Sequence, residues 1–280
     1  MSESLKIASW NIRDGLSGGT EDTSQTMHDV VGRVLQMDAD IVMLPEAFKA
    51  RARTESGRPA EILALASERL LDEGYDVHRV LYGDADDRKD SHGFALLTRL
   101  SGEADEVSTV ELGSRRTLQQ YIADLSLTVT GVHLDDRRET TRLAQARALL
   151  EQSTDNQIIL GDFNAMHGSV PLARKLRLVR AMGASMLPVD PPVNRTSLLG
   201  KMHYKATLAN RLTGMAYGTT MAMFEAAGYV DEDENRTPTK GPVQLDRIIS
   251  NTGLKVDDYK VEEVNPDESD HHPISAVIRY

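Results

Sequence analysis

The sequence predicts an α/β protein in which two mixed β-sheets pack face to face with helices outside. Three observations carry that prediction. Short apolar runs with strand periodicity recur along the 280 residues and outnumber the stretches with helical periodicity. The helical stretches fall between groups of strands, the pattern of helices covering the outer faces of sheets. No repeat of 20–50 residues and no low-complexity tract interrupts the chain.

Residues 5–10 alternate apolar and polar side chains and read as a first strand. Met27, Val30, Val31, Val34 and Leu35 keep the i, i+3, i+4 rhythm of a helix lying on a sheet, with Thr23 or Ser24 as its cap. Residues 40–44 form a strand closed by Pro45, with Glu46 just beyond. Pro59 suits a first helical turn, and residues 62–71 continue as helix until Gly74. Residues 75–81 and 94–98 are strands on either side of the acidic loop 83–87. Residues 107–112, 118–125 and 127–133 are consecutive strands, the last two a hairpin. Residues 137–150 are a helix with Leu143, Ala146, Leu149 and Leu150 inward. Residues 157–160 are a buried strand running into Gly161, and strands at 243–250, 254–264 and 274–278 complete the second half.

An apolar fraction of 40% over this length is ample for one large core, and we read residues 1–280 as one domain. The net charge of −11 disfavours a protein that coats nucleic acid, although an acidic chain can carry a locally basic face. With no cysteine there is no disulfide framework and no thiolate metal site. No secretory leader pattern and no 18-residue apolar run are visible, so the expectation is a cytoplasmic protein without a transmembrane segment. One segment opposes the overall charge. Residues 171–215 hold eight Arg or Lys against a single acid, Asp190, together with four methionines. A cationic, soft-apolar insertion suggests a substrate-binding wall, with Arg174 and Arg177 as candidate contacts.

Five polar motifs punctuate the strands. They are Trp10-Asn11, Pro45-Glu46, Val132-His133-Leu134, Gly161-Asp162-Phe163-Asn164, and Leu245-Asp246-Arg247 together with Ser269-Asp270-His271-His272-Pro273. Each follows or ends an apolar run, so each reads as the tip of a buried strand. If the tips converge, they unite carboxylates, side-chain amides and imidazoles. That set can hold Mg²⁺ and direct water at a phosphorus centre. Gly-x-Ser-x-Gly and Walker motifs are absent, which disfavours serine hydrolysis and nucleotide-loop chemistry.

In wording and order these motifs resemble the endonuclease/exonuclease/phosphatase superfamily, which holds DNase I-like nucleases, abasic-site endonucleases, inositol polyphosphate 5-phosphatases and neutral sphingomyelinases. The resemblance runs from Ile7 to Ile278. It implies a four-layer α/β-sandwich and a Mg²⁺- or Mn²⁺-dependent phosphoester hydrolase, most simply a phosphodiesterase using metal-activated water for in-line attack. It implies Glu46 as principal metal ligand, helped by Asn11 and Asp270. It implies Asp162 and Asn164 as the groups that orient water and a phosphate oxygen. The pair His271–Asp246 assists attack or stabilises charge, and His133 meets the scissile phosphate. His92 and Thr239 are candidate pocket-lining residues. Trp10 and Phe163 read as core, Arg142 and Gln145 as structural, Arg115 and Arg116 as a solvated hairpin edge. Arg247 stands where the family often has Tyr, and is expected at the pocket rim. The substrate is a phosphoester, either nucleic acid or a small or anionic lipid headgroup. A phosphomonoesterase of the same fold, or a catalytically silent binding module, are the alternative readings.

Overall fold

The computed structural model describes residues 4–18, 24–49, 58–82, 92–100, 102, 105–113, 115–165, 219–233, 235, 237–240, 243–264 and 268–280. The basic segment 171–215, with Arg174 and Arg177, and the acidic loop 83–87 lie outside these residues.

Two six-stranded sheets form the frame. The first runs β11 (Lys255–Val261), β12 (Ile274–Arg279), β1 (Ser4–Ser9), β2 (Ile41–Lys49), β4 (His92–Thr98) and β3 (Asp76–Leu81). The second runs β5 (Glu106–Glu111), β6 (Arg116–Ile122), β7 (Leu127–His133), β8 (Gln157–Asp162), β10 (Asp246–Ser250) and β9 (Val230–Asp231). Each sheet has one parallel pair at its centre, β1–β2 and β7–β8, and antiparallel pairs elsewhere. A parallel pair needs a crossover, and a helix supplies each one. Helix α1 (Ser24–Met37) joins β1 to β2, and α3 (Glu139–Glu151) joins β7 to β8. Helices α2 (Arg58–Asp72) and α4 (Thr219–Ala226) complete the described outer layers.

Strand periodicity of two sorts the core into three layers of apolar contact. Ile41 and Met43 face between the sheets with Leu127, Val129, Ile158, Leu160 and Ile248. Val42 and Leu44 face outward onto Val30, Val31 and Val34 of α1. On the far side Val132, Ile159 and Ile249 meet Ala146 and Leu149 of α3 and Phe224 of α4. Central strands β7, β8 and β10 are buried along their whole length, whereas edge strands β3, β5 and β11 carry exposed positions.

Several element ends differ from the sequence expectation. The strand expected to close at Pro45 continues to Lys49, with a register shift between Leu44 and Phe48. Proline offers no N–H to the ladder, and a bulge is where a sheet tolerates it. The strand expected over residues 118–125 ends at Ile122 and passes into a short 3₁₀ turn, Ala123–Leu125. Helix α4 and the two-residue strand β9 were not expected from periodicity; both are short, and α4 is apolar on more than one face.

Candidate active site

The site grows out of the inter-sheet core at the C-terminal ends of both parallel pairs. Residues 158 and 160 of β8 face the core between the sheets, so by alternation Asp162 faces the same way one step beyond it. The register pairs Asp162 with His133 on β7 and with Asp246 on β10. Three neighbouring strands thus set His133, Asp162 and Asp246 in one row. Gly161 makes this row possible. Its φ is +137°, and a Cβ there would lie 2.1 Å from the Val132 carbonyl oxygen, so no other residue fits.

Opposite this row stands the end of the first sheet. The Asn11 side-chain amide donates to Asp162 Oδ2 at 3.2 Å and reaches Glu46 Oε1 at 3.4 Å. Glu46 sits in the β2 bulge with φ +48°. A left-handed Glu is uncommon, and here it turns the carboxylate back toward the other sheet. The C-terminal motif is tied in by two hydrogen bonds from distant parts of the chain. Trp10 Nε1–H donates to the His271 carbonyl at 2.8 Å, and Ser269 Oγ–H donates to the Asn11 carbonyl at 2.6 Å. Trp10 and Phe163 are fully buried.

The two imidazoles are held differently. His271 Nδ1 lies 2.7 Å from Asp246 Oδ2, and its Nε2 lies 2.8 Å from the Lys240 ammonium. Lys240 can only donate, so the ring's own proton is on Nδ1, facing Asp246. Burial pulls the His271 pKa down, yet the charges of Asp246 and Asp162 outweigh it and leave it above its ordinary value. For His133 the balance runs the other way. Burial first, then the charges of Arg115 and His271, put it well below the usual histidine range, so it is neutral near pH 7. Its Nδ1 lies 2.8 Å from the Tyr82 hydroxyl oxygen, which also accepts the Glu46 backbone N–H at 2.6 Å. Burial, then the Glu46 charge, raises the Tyr82 pKa well above normal, so the phenol keeps its proton and donates it to Nδ1. This assigns the His133 proton to Nε2, which faces Glu46 Oε1 at 3.5 Å and Asp162 Oδ2 at 3.7 Å.

Asp162 is pushed up to about 6, chiefly by burial and further by the Asp246 charge. Its Oδ1 accepts the Asn164 N–H at 2.9 Å, which leaves Oδ2 as the oxygen facing Asn11, His133 and His271. Asn164 has φ +49°, and its side-chain amide donates to the Leu134 carbonyl at 3.0 Å, closing the turn after β8.

The other expected residues take these places. Asp270 is turned outward: its carboxylate meets Lys240 Nζ at 3.0 Å and Arg13 Nε at 3.7 Å. Burial raises its pKa, but Lys240 and His271 overcome that and hold it at about 2. Thr239 is fully buried, and its Oγ accepts the N–H groups of Leu245 and Asp246 at 3.0 and 2.9 Å; it braces Asp246 from behind. His92 pairs with Asp14 at 3.4 Å. Arg142 and Gln145 shape the turn after β7. Arg142 donates to the Asp135 carbonyl at 2.6 Å, and Gln145 accepts the Asp135 N–H at 2.7 Å. Two expectations are corrected. Arg247 is not at a rim: it is buried against Asp231 and Gln244. Arg115 is not a solvated edge residue: it is buried and donates to the carbonyls of His133 and Leu134 at 3.0 and 2.9 Å. Both lie where a guanidinium satisfies several buried acceptors at once.

Tyr82 and Lys240 escaped sequence reasoning. Tyr82 ends an apolar strand and reads there as core, and Lys240 follows a Thr-Pro-Thr turn in which a lysine reads as solvated. Among the described residues, Asp162, Asp246 and His271 form a group whose ligand atoms all lie within 4.8 Å of one another, close enough to hold a metal ion. No described helix is long and apolar enough to cross a membrane.

Comparison with known proteins gives the geometry its setting. The sequence model described as Endonuclease/Exonuclease/phosphatase family matches residues 8–271. No curated protein sequence matches the chain. Among solved structures, an endonuclease/exonuclease/phosphatase from Beutenbergia cavernae superposes with a TM-score of 0.61 at 16% identity, covering 99% of this chain and 71% of that one. An AP endonuclease from Archaeoglobus fulgidus gives 0.60 at 15% identity, with 98% and 99% covered. TDP2 from D. rerio, humanized by 14 mutations, gives 0.57 at 15%, with 99% of each chain covered. At such identities the likeness concerns the fold, the same α/β sandwich of two mixed sheets.

Proposed function

We propose that this chain, which belongs to the endonuclease/exonuclease/phosphatase family, hydrolyses a phosphodiester with the help of a divalent cation. One observation carries the reading. Asn11, Glu46, His133, Asp162, Asp246 and His271, spread over the whole sequence, reach one another within a few ångströms at the end of the inter-sheet core.

The donor set fits a hard cation such as Mg²⁺ or Mn²⁺. It offers oxygens and imidazole nitrogens with no thiolate, and three carboxylates crowd together. Two signs of unmet negative charge are the raised Asp162 and the Asp246 Oδ1, which is buried without a hydrogen-bond partner. Glu46 is the best placed ligand, since its pocket-facing contacts to Asn11 and His133 are long. Asn11 and Asp162 stand next to it. Asp270, held by Lys240 and Arg13, is less well placed than the sequence suggested. When bound, the cation neutralises phosphoryl charge and lowers the pKa of water from 15.7 toward about 7.

The chain's own groups then have distinct tasks. Asp162 accepts a proton from the attacking water through Oδ2, the oxygen that faces Asn11 and the two histidines. His133, neutral with its proton on Nε2, donates a hydrogen bond to a phosphoryl oxygen. His271, oriented by Asp246, holds Nε2 against the Lys240 ammonium at the edge of the same space. A nucleic acid is the substrate class that the cationic segment 171–215 favours.

The test is a panel containing supercoiled plasmid, bis(p-nitrophenyl) phosphate, p-nitrophenyl phosphate and phosphodiester lipid vesicles, assayed with Mg²⁺, Mn²⁺ or EDTA. The reading requires diester cleavage that needs the metal and falls about 10²–10⁴-fold in His271→Ala. Plasmid nicking that weakens steeply with salt supports nucleic acid. Cleavage of the monoester alone, or full activity in EDTA, contradicts it.

A further inference from the structure

Lys240 sets its charged end against a site imidazole, and its backbone is fixed there on two sides. Lys240 N–H donates to the Val243 carbonyl at 3.0 Å and the Lys240 carbonyl accepts the Val243 N–H at 3.2 Å, a tight bridge just ahead of β10. One residue earlier, the Thr239 carbonyl accepts the His272 N–H at 2.7 Å, which ties this turn to the loop carrying His271. The side chain is only 17% exposed. Burying a lysine this far costs free energy that its contacts must offset. Nζ lies between Asp270 Oδ2 at 3.0 Å and His271 Nε2 at 2.8 Å. That same Nε2 faces Asp162 Oδ2 at 3.7 Å, so the ammonium stands beside the space onto which Asp162 and the two histidines converge. An ammonium has three donors, and these two contacts use two of them. Carboxylates of Glu46, Asp162 and Asp246 otherwise crowd that space, an unfavourable field for an entering phosphate.

We infer that Lys240 is a substrate-contacting residue of this site, its ammonium donating to a nonbridging oxygen of the phosphoryl group beside His271 Nε2. The inference rests on the phosphoester reading above. It makes Lys240 a phosphate-selecting contact, with Asp270 as its outer anchor.

The experiment compares wild type with Lys240→Met, which keeps the length and removes the charge, and with Lys240→Arg. The probes are bis(p-nitrophenyl) phosphate turnover with Mn²⁺, inhibition of that turnover by inorganic phosphate, and metal-free binding of inorganic phosphate by calorimetry. For Lys240→Met the expected result is a loss of about 10- to 100-fold in kcat/KM, with phosphate affinity weakened by a similar factor. The Mn²⁺ concentration dependence stays as in wild type, and Lys240→Arg recovers to within about tenfold. Thermal unfolding of each variant shows that the fold is kept, and Lys240→Gln replaces Lys240→Met if the latter does not fold. Unchanged kcat/KM and phosphate affinity overturns the inference, as does a loss that tracks weakened Mn²⁺ binding alone. A wild type that cleaves no phosphoester sinks the functional reading instead, and the metal-free phosphate titration still tests Lys240.

Discussion

At the scale of single residues the site works through opposed pKa changes. Asp162 is raised to about 6 from an ordinary 3.8, mainly by burial. The sign follows from linkage. A carboxyl held above its unfolded value gives stability that is complete below about pH 4 and lost as pH rises through 6. In metal-free protein, Asp162→Asn should therefore remove most of the fall in unfolding free energy between pH 4 and pH 7.5, because an amide carries no charge to bury, while phosphoester cleavage is lost; denaturant melts at the two pH values check it. A second prediction concerns Tyr82. Tyr82→Phe leaves the buried Glu46 N–H and His133 Nδ1 without their partner. Stability should fall by about 1–3 kcal/mol by chemical denaturation, and ¹⁵N NMR of the unsubstituted protein should show the His133 proton on Nε2. A proton found on Nδ1 would count against the role given to the phenol. Sequence made some of these residues legible and hid others. Asp162 and His271 stand in short motifs whose chemistry is local. Tyr82, Lys240 and Arg115 matter through partners that are 36 residues (Tyr82–Glu46), 31 residues (Lys240–His271) and 18 residues (Arg115–His133) away, and a lone polar residue at a strand end does not announce such partners.

At the scale of elements, the two central parallel pairs decide where chemistry can sit. Both end at the same side of the sandwich, and Asn11, Glu46, His133 and Asp162 lie at those ends. Ligands commonly bind at the carboxyl ends of strands in α/β sheets, because the crossover helices begin there and leave a crevice. Alternation then aims the side chains between the sheets. The β7–β8 contact at Gly161 is the tightest part of this arrangement. Gly161→Ala would place a Cβ 2.1 Å from the Val132 carbonyl and force a side chain into φ +137°. The expected outcome is a loss of stability of about 2–4 kcal/mol by chemical denaturation, because backbone cannot give way as a flexible side chain can. A small change would mean that β7 and β8 can separate. Periodicity located these central strands and the helices α1, α2 and α3, since each buries a regular stripe. It missed α4, whose apolar residues are not confined to one face, and it ended β2 at Pro45 because a bulge leaves no trace in alternation.

At the scale of the whole molecule, three apolar layers hold two sheets rigidly enough for residues from both to meet. The inter-sheet core contributes about 1.5–3 kcal/mol for each large side chain buried, and Phe94, Leu96, Ile158 and Leu160 are fully buried in it. The chain is acidic overall, yet its functional end gathers carboxylates that repel one another unless cations join them. The fold class was readable because five motifs in fixed order mark strand ends across the chain. The meeting of those ends was not, since register and sheet order are long-range properties. The most direct test is to soak crystals with Mn²⁺ and inorganic phosphate and map the manganese by anomalous scattering. The expected result is one strong peak within ligand distance of a Glu46 carboxylate oxygen, with phosphate lying between it and the His133 Nε2 and Lys240 Nζ atoms. Manganese bound elsewhere, with Glu46 and Asp162 untouched, would contradict a phosphoryl-transfer centre at this end of the sandwich.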